Sequence, residues 1–197
     1  MEIKKIKALM FLLLSVFFTQ FGFAQSKYDA MTAREKIVFN TQRISECENC
    51  FYQYFERAQA KEDIQDYSGA LADYRKVNSF FGDEGTYASN QIGRVLLTME
   101  DFSGAVIEYT KLINKGEITY KTYMYRGVSK SKLFDYLGAI SDFNKAIELE
   151  SNNADIYIFR GDAKFRLNQK NSACLDWSRA GELGNSKVYE IIKEYCN

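Results

Sequence analysis

Self-similarity at one fixed step constrains this chain more than any other feature. Gly127 and Gly161, Ala139 and Ala173, Phe143 and Trp177, Ala146 and Ala180, and Leu149 and Leu183 each stand 34 residues apart. One step back, Gly93, Ala105 and Tyr109 take the same places, and a further step of 35 reaches Ala58, Ala70 and Tyr74. The chain is therefore a tandem array of four units, 51–85, 86–119, 120–153 and 154–185. A unit of this length cannot bury an apolar face alone, so neighbours must stack and share a continuous core.

The spacing inside each unit predicts two packed helices. Small residues in the first helix, Ala58, Gly93, Gly127 and Gly161, let the second approach closely. In the second helix an alanine, an aromatic four residues on and a small or apolar residue three further make one inward stripe. The segment between them recurs as Asp66-Tyr67-Ser68-Gly69-Ala70, Asp101-Phe102-Ser103-Gly104-Ala105 and Asp135-Tyr136-Leu137-Gly138-Ala139. Its aspartate is placed to cap the second helix. The fourth copy, Gln169-Lys170-Asn171-Ser172-Ala173, moves that cap to Asn171 or Ser172. There is no proline, so glycines and polar caps must end the helices.

A 34-residue unit carrying a small residue, Ala, an aromatic and Ala at these spacings resembles the tetratricopeptide repeat (TPR) family over residues 51–187. The family's usual proline near the end of each unit is absent, with Ser151 in its place in the third, and Leu112 stands in the second where alanine is typical. The resemblance implies an all-α solenoid of four hairpins whose first helices line a concave groove for a protein or peptide. It maps that groove onto Tyr52, Phe55 and Gln59, then Tyr87, Asn90 and Arg94, then Lys121, Met124 and Val128, then Asp155, Ile158 and Asp162. Alternatively, several of these side chains simply pack between repeats. The family's carboxylate clamp for chaperone tails would fall on Phe55, Gln59, Gln91, Lys121 and Tyr125, of which only Lys121 has a fitting side chain. The missing cations would have supplied most of the charge-assisted bonds, so chaperone-tail binding is not expected.

The flanks read as accessories. Residues 1–24 have the form of a signal peptide: Lys4, Lys5 and Lys7, the apolar run from Ala8 to Phe18, then Gly22-Phe23-Ala24. That run is too short to cross a bilayer, for which a helix needs about 20 residues. Periplasmic or secreted location follows, with no membrane span after cleavage. In the segment 25–50, Thr32-Ala33-Arg34-Glu35 has the form of a capping box leading into Ile37, Val38 and Phe39, which predicts an added N-terminal helix. In 186–197, Val188, Ile191 and Ile192 predict a one-faced helix covering the last repeat.

Four cysteines in an exported chain suggest two disulfides, with three possible connectivities. Cys47 and Cys50 precede the first repeat, whereas Cys174 and Cys196 lie at the far end of an extended stack. Since bridged Cα atoms must come within about 7 Å, the expected pairs are Cys174 with Cys196, and Cys47 with Cys50 where that pair is oxidised. The alternative for Cys47-Glu48-Asn49-Cys50 is a redox pair, but its spacing is unspecific and no thioredoxin-like strand pattern accompanies it. A four-cysteine zinc site is disfavoured by the same separation.

Beyond residue 24 the chain carries 23 basic and 25 acidic side chains, a balance that offers nucleic acid no electrostatic footprint. It has no histidine, hence neither the usual neutral-pH acid/base group nor the commonest metal ligand. No catalytic residue, metal site or cofactor is nominated. Arg126 and Arg160, just before the repeat glycines, are expected to lay their stems on the neighbouring helix with the guanidinium in water, and Lys61-Glu62-Asp63 to form a solvated face. The expected function is an exported scaffold for protein or peptide partners. A redox protein using Cys47 and Cys50, or a subunit that self-associates through its repeats, are the alternatives.

Overall fold

The computed structural model describes residues 26–82 and 85–196, so the signal-peptide reading of 1–24 lies outside the described residues. Among them, after a helical turn at 26–29, run ten helices and no strand. They are α1 (Ala33–Ser45), α2 (Phe51–Asp63), α3 (Tyr67–Ser79), α4 (Ser89–Thr98), α5 (Phe102–Asn114), α6 (Tyr120–Lys132), α7 (Tyr136–Leu149), α8 (Ala154–Arg166), α9 (Lys170–Glu182) and α10 (Val188–Tyr195). Each helix packs chiefly on its sequence neighbours, and the result is an all-α solenoid of four hairpins, α2/α3 to α8/α9, flanked by α1 and α10.

The turn within each hairpin explains its regularity. One residue per unit, Gln65, Glu100, Phe134 and Asn168, takes a left-handed φ of 60–65°. Its N–H bonds three residues back, and the next N–H reaches five back, as in Asp66 to Lys61 at 2.8 Å and Asp135 to Lys130 at 2.9 Å. This is a Schellman closure, and none of the four residues is glycine, so each carries a local cost of about 1 kcal/mol. The same aspartates then cap the following helix: Asp66, Asp101 and Asp135 each accept from the glycine N–H three residues on, at 2.9 Å. In the fourth unit the expected cap at Asn171 or Ser172 does not form. Helix α9 begins at Lys170, in register with the other second helices, behind Gln169 and with no side-chain cap. The Thr32–Glu35 capping box is present in full.

The small residues of the first helices do what their spacing predicts. A Cβ on Gly127 would lie 2.7 Å from the Phe143 ring, and one on Gly93 2.6 Å from that of Tyr109. The aromatic of each second helix, Tyr74, Tyr109, Phe143 or Trp177, is thereby driven into the core.

The two ends share the repeat register. Helix α1 begins 34 residues before α3, the place of a second helix, and α10 begins 34 after α8, the place of a first helix. Tyr195 falls where the units carry Ala58, Gly93, Gly127 and Gly161. Its ring packs 5.0 Å from Phe165 and 6.4 Å from Trp177, and so closes the core. Cys47 with Cys50 and Cys174 with Cys196 are the disulfide pairs, at Cα separations of 5.9 and 5.7 Å.

At eight residues, α10 is too short to persist alone. Replacing both Cys174 and Cys196 by serine is expected to cost about 2–4 kcal/mol through the loop the bridge closes. In a nearest-neighbour stack the loss should stay local. Hydrogen exchange should accelerate in residues 188–195 and leave α1 to α4 unchanged; uniform acceleration would contradict this account.

Candidate functional site

The register of the first helices lines up three rows of side chains. The outer row is Tyr52, Tyr87, Lys121 and Asp155, and all four are exposed. The two tyrosines remain 53% and 58% open. Tyr87 lies in the turn before α4 rather than on a helix, because α4 starts only at Ser89 after a connection containing Gly82 and Gly85. There its ring stacks on Phe81 at 5.2 Å and meets Phe51 and Phe55 edge-on at 5.9 Å each. Packing between repeats and exposure to the groove are thus combined in one residue.

The middle row is less uniform. Asn90 is exposed and Phe55 and Ile158 are half-buried, but Met124 is only 7% exposed and belongs to the core of the third unit. It shares that core with Phe143, Ala139 and Ile156, so its side chain is taken up in packing.

In the inner row, Gln59 is open, Val128 is half-buried, and the two charged members are already engaged. Arg94 reaches back to Glu62 of the first unit at 3.0 Å. Glu62 also accepts the Tyr74 hydroxyl at 2.6 Å, and burial together with that carboxylate pushes the Tyr74 phenol up. Asp162 accepts from the Trp177 indole at 3.0 Å. The residue's outer edge is exposed, but its carboxyl leans on the wall; burial raises its pKa, and the indole bond partly opposes this.

Sequence reasoning stopped short of two residues in the same register. Tyr189 and Ile192 of α10 stand 34 residues after Asp155 and Ile158 and extend the outer and middle rows onto a fifth helix. Tyr189 is 54% exposed, like Tyr52 and Tyr87. The signal was the repeat step itself, carried once more past the last complete unit. Between α4 and α6 the groove deepens into a cleft of about 540 Å³ lined by Asn90, Arg94, Lys121 and Tyr125.

The charged residues behind the groove are organised differently from expectation. Arg126 and Arg160 do not hold their guanidinium groups in water. Arg126 donates Nε and Nη2 to Asp142 at 2.9 and 2.6 Å and Nη1 to Thr110 at 3.3 Å, so it ties α5, α6 and α7 together. Arg160 does the same through Asp176 and Asn144, and Arg57 through Asp73 and Thr41. A lysine one turn on, Lys61, Lys130 or Lys164, adds a second cation to each aspartate at 2.7–2.8 Å. Lys61 and Glu62 are therefore structural partners and not part of a solvated run. A tyrosine one turn before each arginine, Tyr54, Tyr123 or Tyr157, lies under its guanidinium at 5.2–5.5 Å. The second unit has Ser89, Ile92, Leu96 and Glu108 at these positions. Its tie is instead Asn78, which donates to Ser89 at 3.0 Å and accepts the Ala88 N–H at 2.7 Å.

Among the described residues no group of three or more acidic, cysteine or histidine side chains could hold a metal ion, and no helix is long and apolar enough to cross a membrane.

No family model and no curated protein matches the chain. Solved structures do. MamA (residues 41 to the end) from Desulfovibrio magneticus RS-1 superposes with a TM-score of 0.76 at 17% identity, over 84% of this chain and 93% of that one. YrrB, described as a TPR protein with an unusual peptide-binding site, gives 0.64 at 18% identity over 76% of this chain and 78% of that one. The first TPR domain of Spaghetti (RPAP3), bound to the HSP90 peptide SRMEEVD, gives 0.53 at 22% identity over 56% and 90%. The chain has the tetratricopeptide-repeat fold.

Proposed function

We propose that this protein is an exported scaffold whose concave face holds a protein or peptide partner in the cell envelope or outside it. The exposed tyrosines of one aligned row carry the reading. Tyr52, Tyr87 and Tyr189 stay more than half open on the same edge of the stack, while the second-helix core aromatics Tyr74, Tyr109, Phe143 and Trp177 are buried. Tyrosine in that setting provides a large amphipathic contact surface at low entropic cost, which is why it is enriched where proteins meet. The peptide-binding site named for YrrB and the HSP90 peptide bound to the Spaghetti domain support the same use of the fold. The lysine-rich apolar leader and two cysteine pairs support export.

The test is crosslinking and affinity capture from the native envelope with the wild-type chain and with Tyr52→Ala/Tyr87→Ala. Ile107→Ala, at an exposed position of a second helix, serves as the control. Loss of both tyrosines should weaken the captured partner by about thirtyfold, the scale of a two-kilocalorie aromatic contact. Equal capture by the tyrosine variant, with loss in the Ile107 variant, would move the site to the convex side.

A further inference from the structure

The four units fill one volume differently. At the turn end of each hairpin, a first-helix residue shares space with the buried aromatic of the second helix. The pairs in register are Glu62 with Tyr74, Leu97 with Tyr109, Ser131 with Phe143, and Phe165 with Trp177. In the first the two side chains bond directly, and in the fourth their rings lie 5.5 Å apart. The third pair joins the shortest of the four first-helix side chains to a ring without a polar tip, and it does not fill the space. A cleft of about 390 Å³ opens there, between α6 and α8, floored by Phe143, Phe159 and Ala163. The Ser131 hydroxyl is buried and has no hydrogen-bond partner among the described residues.

The mouth of this cleft is also distinctive. Phe134 occupies the left-handed turn position that the other units give to Gln65, Glu100 and Asn168, and it is 78% exposed, with its ring edge-on to Tyr136 at 6.3 Å. A large apolar side chain held open at a strained position contributes little to the fold. Lys132 and Arg166 stand on the rim, and neither forms an ion pair among the described residues. Asp162, the acid in the lining, accepts from Trp177 and also lies within electrostatic reach of Arg166.

We propose that this cleft is the side-chain pocket of the groove: it receives one aromatic or branched apolar side chain of a peptide partner, flanked by acidic residues that meet Lys132 and Arg166. The proposal rests on the reading of the chain as a peptide-binding scaffold. The incoming side chain takes the volume that Leu97 and Phe165 occupy in their own units. Phe134 closes over it, and the two rim cations select the charge of its neighbours. The size suits such an anchor, since pockets for small ligands begin at about 300 Å³.

The experiment uses the isotopically labelled protein and three synthetic nonapeptides as probes, followed by amide chemical shifts. One carries a single Phe between glutamates, one replaces that Phe by Ala, and one replaces the glutamates by lysines. The first peptide should perturb residues 131–136 and 162–166 and bind about tenfold or more tightly than either other. Ser131→Phe, which installs the fourth unit's residue in the third, should weaken it about tenfold with an unchanged or raised melting temperature. Phe134→Ser, at an exposed position, should weaken it without touching the core. Binding that is indifferent to both variants, or absent for all three peptides, overturns the pocket. Should the first peptide shift Tyr52 and Tyr87 instead, the pocket falls and the groove reading stands. Shifts confined to second-helix positions such as Ile107 and Leu175 would remove both.

Discussion

Asp142→Ala is expected to cost the protein about 3 kcal/mol or more, measured as a fall in the urea midpoint at unchanged slope. Asp142 accepts two bonds from Arg126 and pairs with Lys130 at 2.8 Å, almost wholly out of solvent. Removing it leaves two half-buried cations with no anion between them. Lys130 can swing its ammonium toward water, but Arg126, pinned on Tyr123 and Thr110, cannot follow. A loss below about 1 kcal/mol would place the network with ordinary surface ion pairs and sink this account.

The chain supplies its own control. The second unit is a control for the two cations: it holds Ile92 and Leu96, both buried, where the others hold arginine and lysine, while an acid, Glu108, stays in the aspartate's place. A buried ion pair exchanged as a whole for apolar side chains is often neutral, whereas half of one is costly. The triple variant Arg126→Ile, Lys130→Leu, Asp142→Leu should therefore recover most of the stability that Asp142→Ala loses. Recovery would show that the triads fix helix register more than they hold the fold together.

How far this was legible in the sequence differs by feature. The step of 34 fixes hairpins, caps and core aromatics because each depends on residues close in sequence or repeated in register. The triads were also written there: an arginine, a lysine four residues on and an aspartate twelve further recur at 57, 61 and 73, at 126, 130 and 142, and at 160, 164 and 176. Comparison of small and apolar positions alone passes over them, and Arg126 and Arg160 then read as solvated. Met124 misleads for another reason. Its register is that of Phe55, Asn90 and Ile158, but its side chain is buried in the core of the third unit, and register alone does not carry burial. The cleft beside Phe134 depends on the combined size of Ser131 and Phe143, twelve residues apart, and no pattern search sums such volumes. Tyr189 was recoverable by one further step of the repeat.

The fourth unit should respond to Trp177→Ala with a loss of about 3–5 kcal/mol confined to the C-terminal end of the stack. Trp177 is buried against Gly161, Phe165 and Tyr195, and its indole N–H is the bond that holds Asp162. Truncation empties the core of α8 and α9 and undermines the seat of α10, so amide protection should fall in 154–195 and persist in 51–114. Uniform loss would mean that the stack unfolds as one unit. Trp177→Phe separates packing from the polar contact, because Phe143 shows that a phenylalanine fits this position in the third unit. Burial already raises the Asp162 carboxyl above its ordinary range, and the indole bond opposes that rise. With the bond removed, the folded-state pKa should climb further. A carboxyl raised on folding favours the fold at pH below its unfolded value, and that contribution is lost as pH rises through the folded one. The Phe variant should therefore be penalised more at neutral pH than in acid, and the Asp162 carboxyl should titrate higher by carbon-detected NMR. An unchanged Asp162 titration would mean that the indole bond does not set the charge of the groove's inner row.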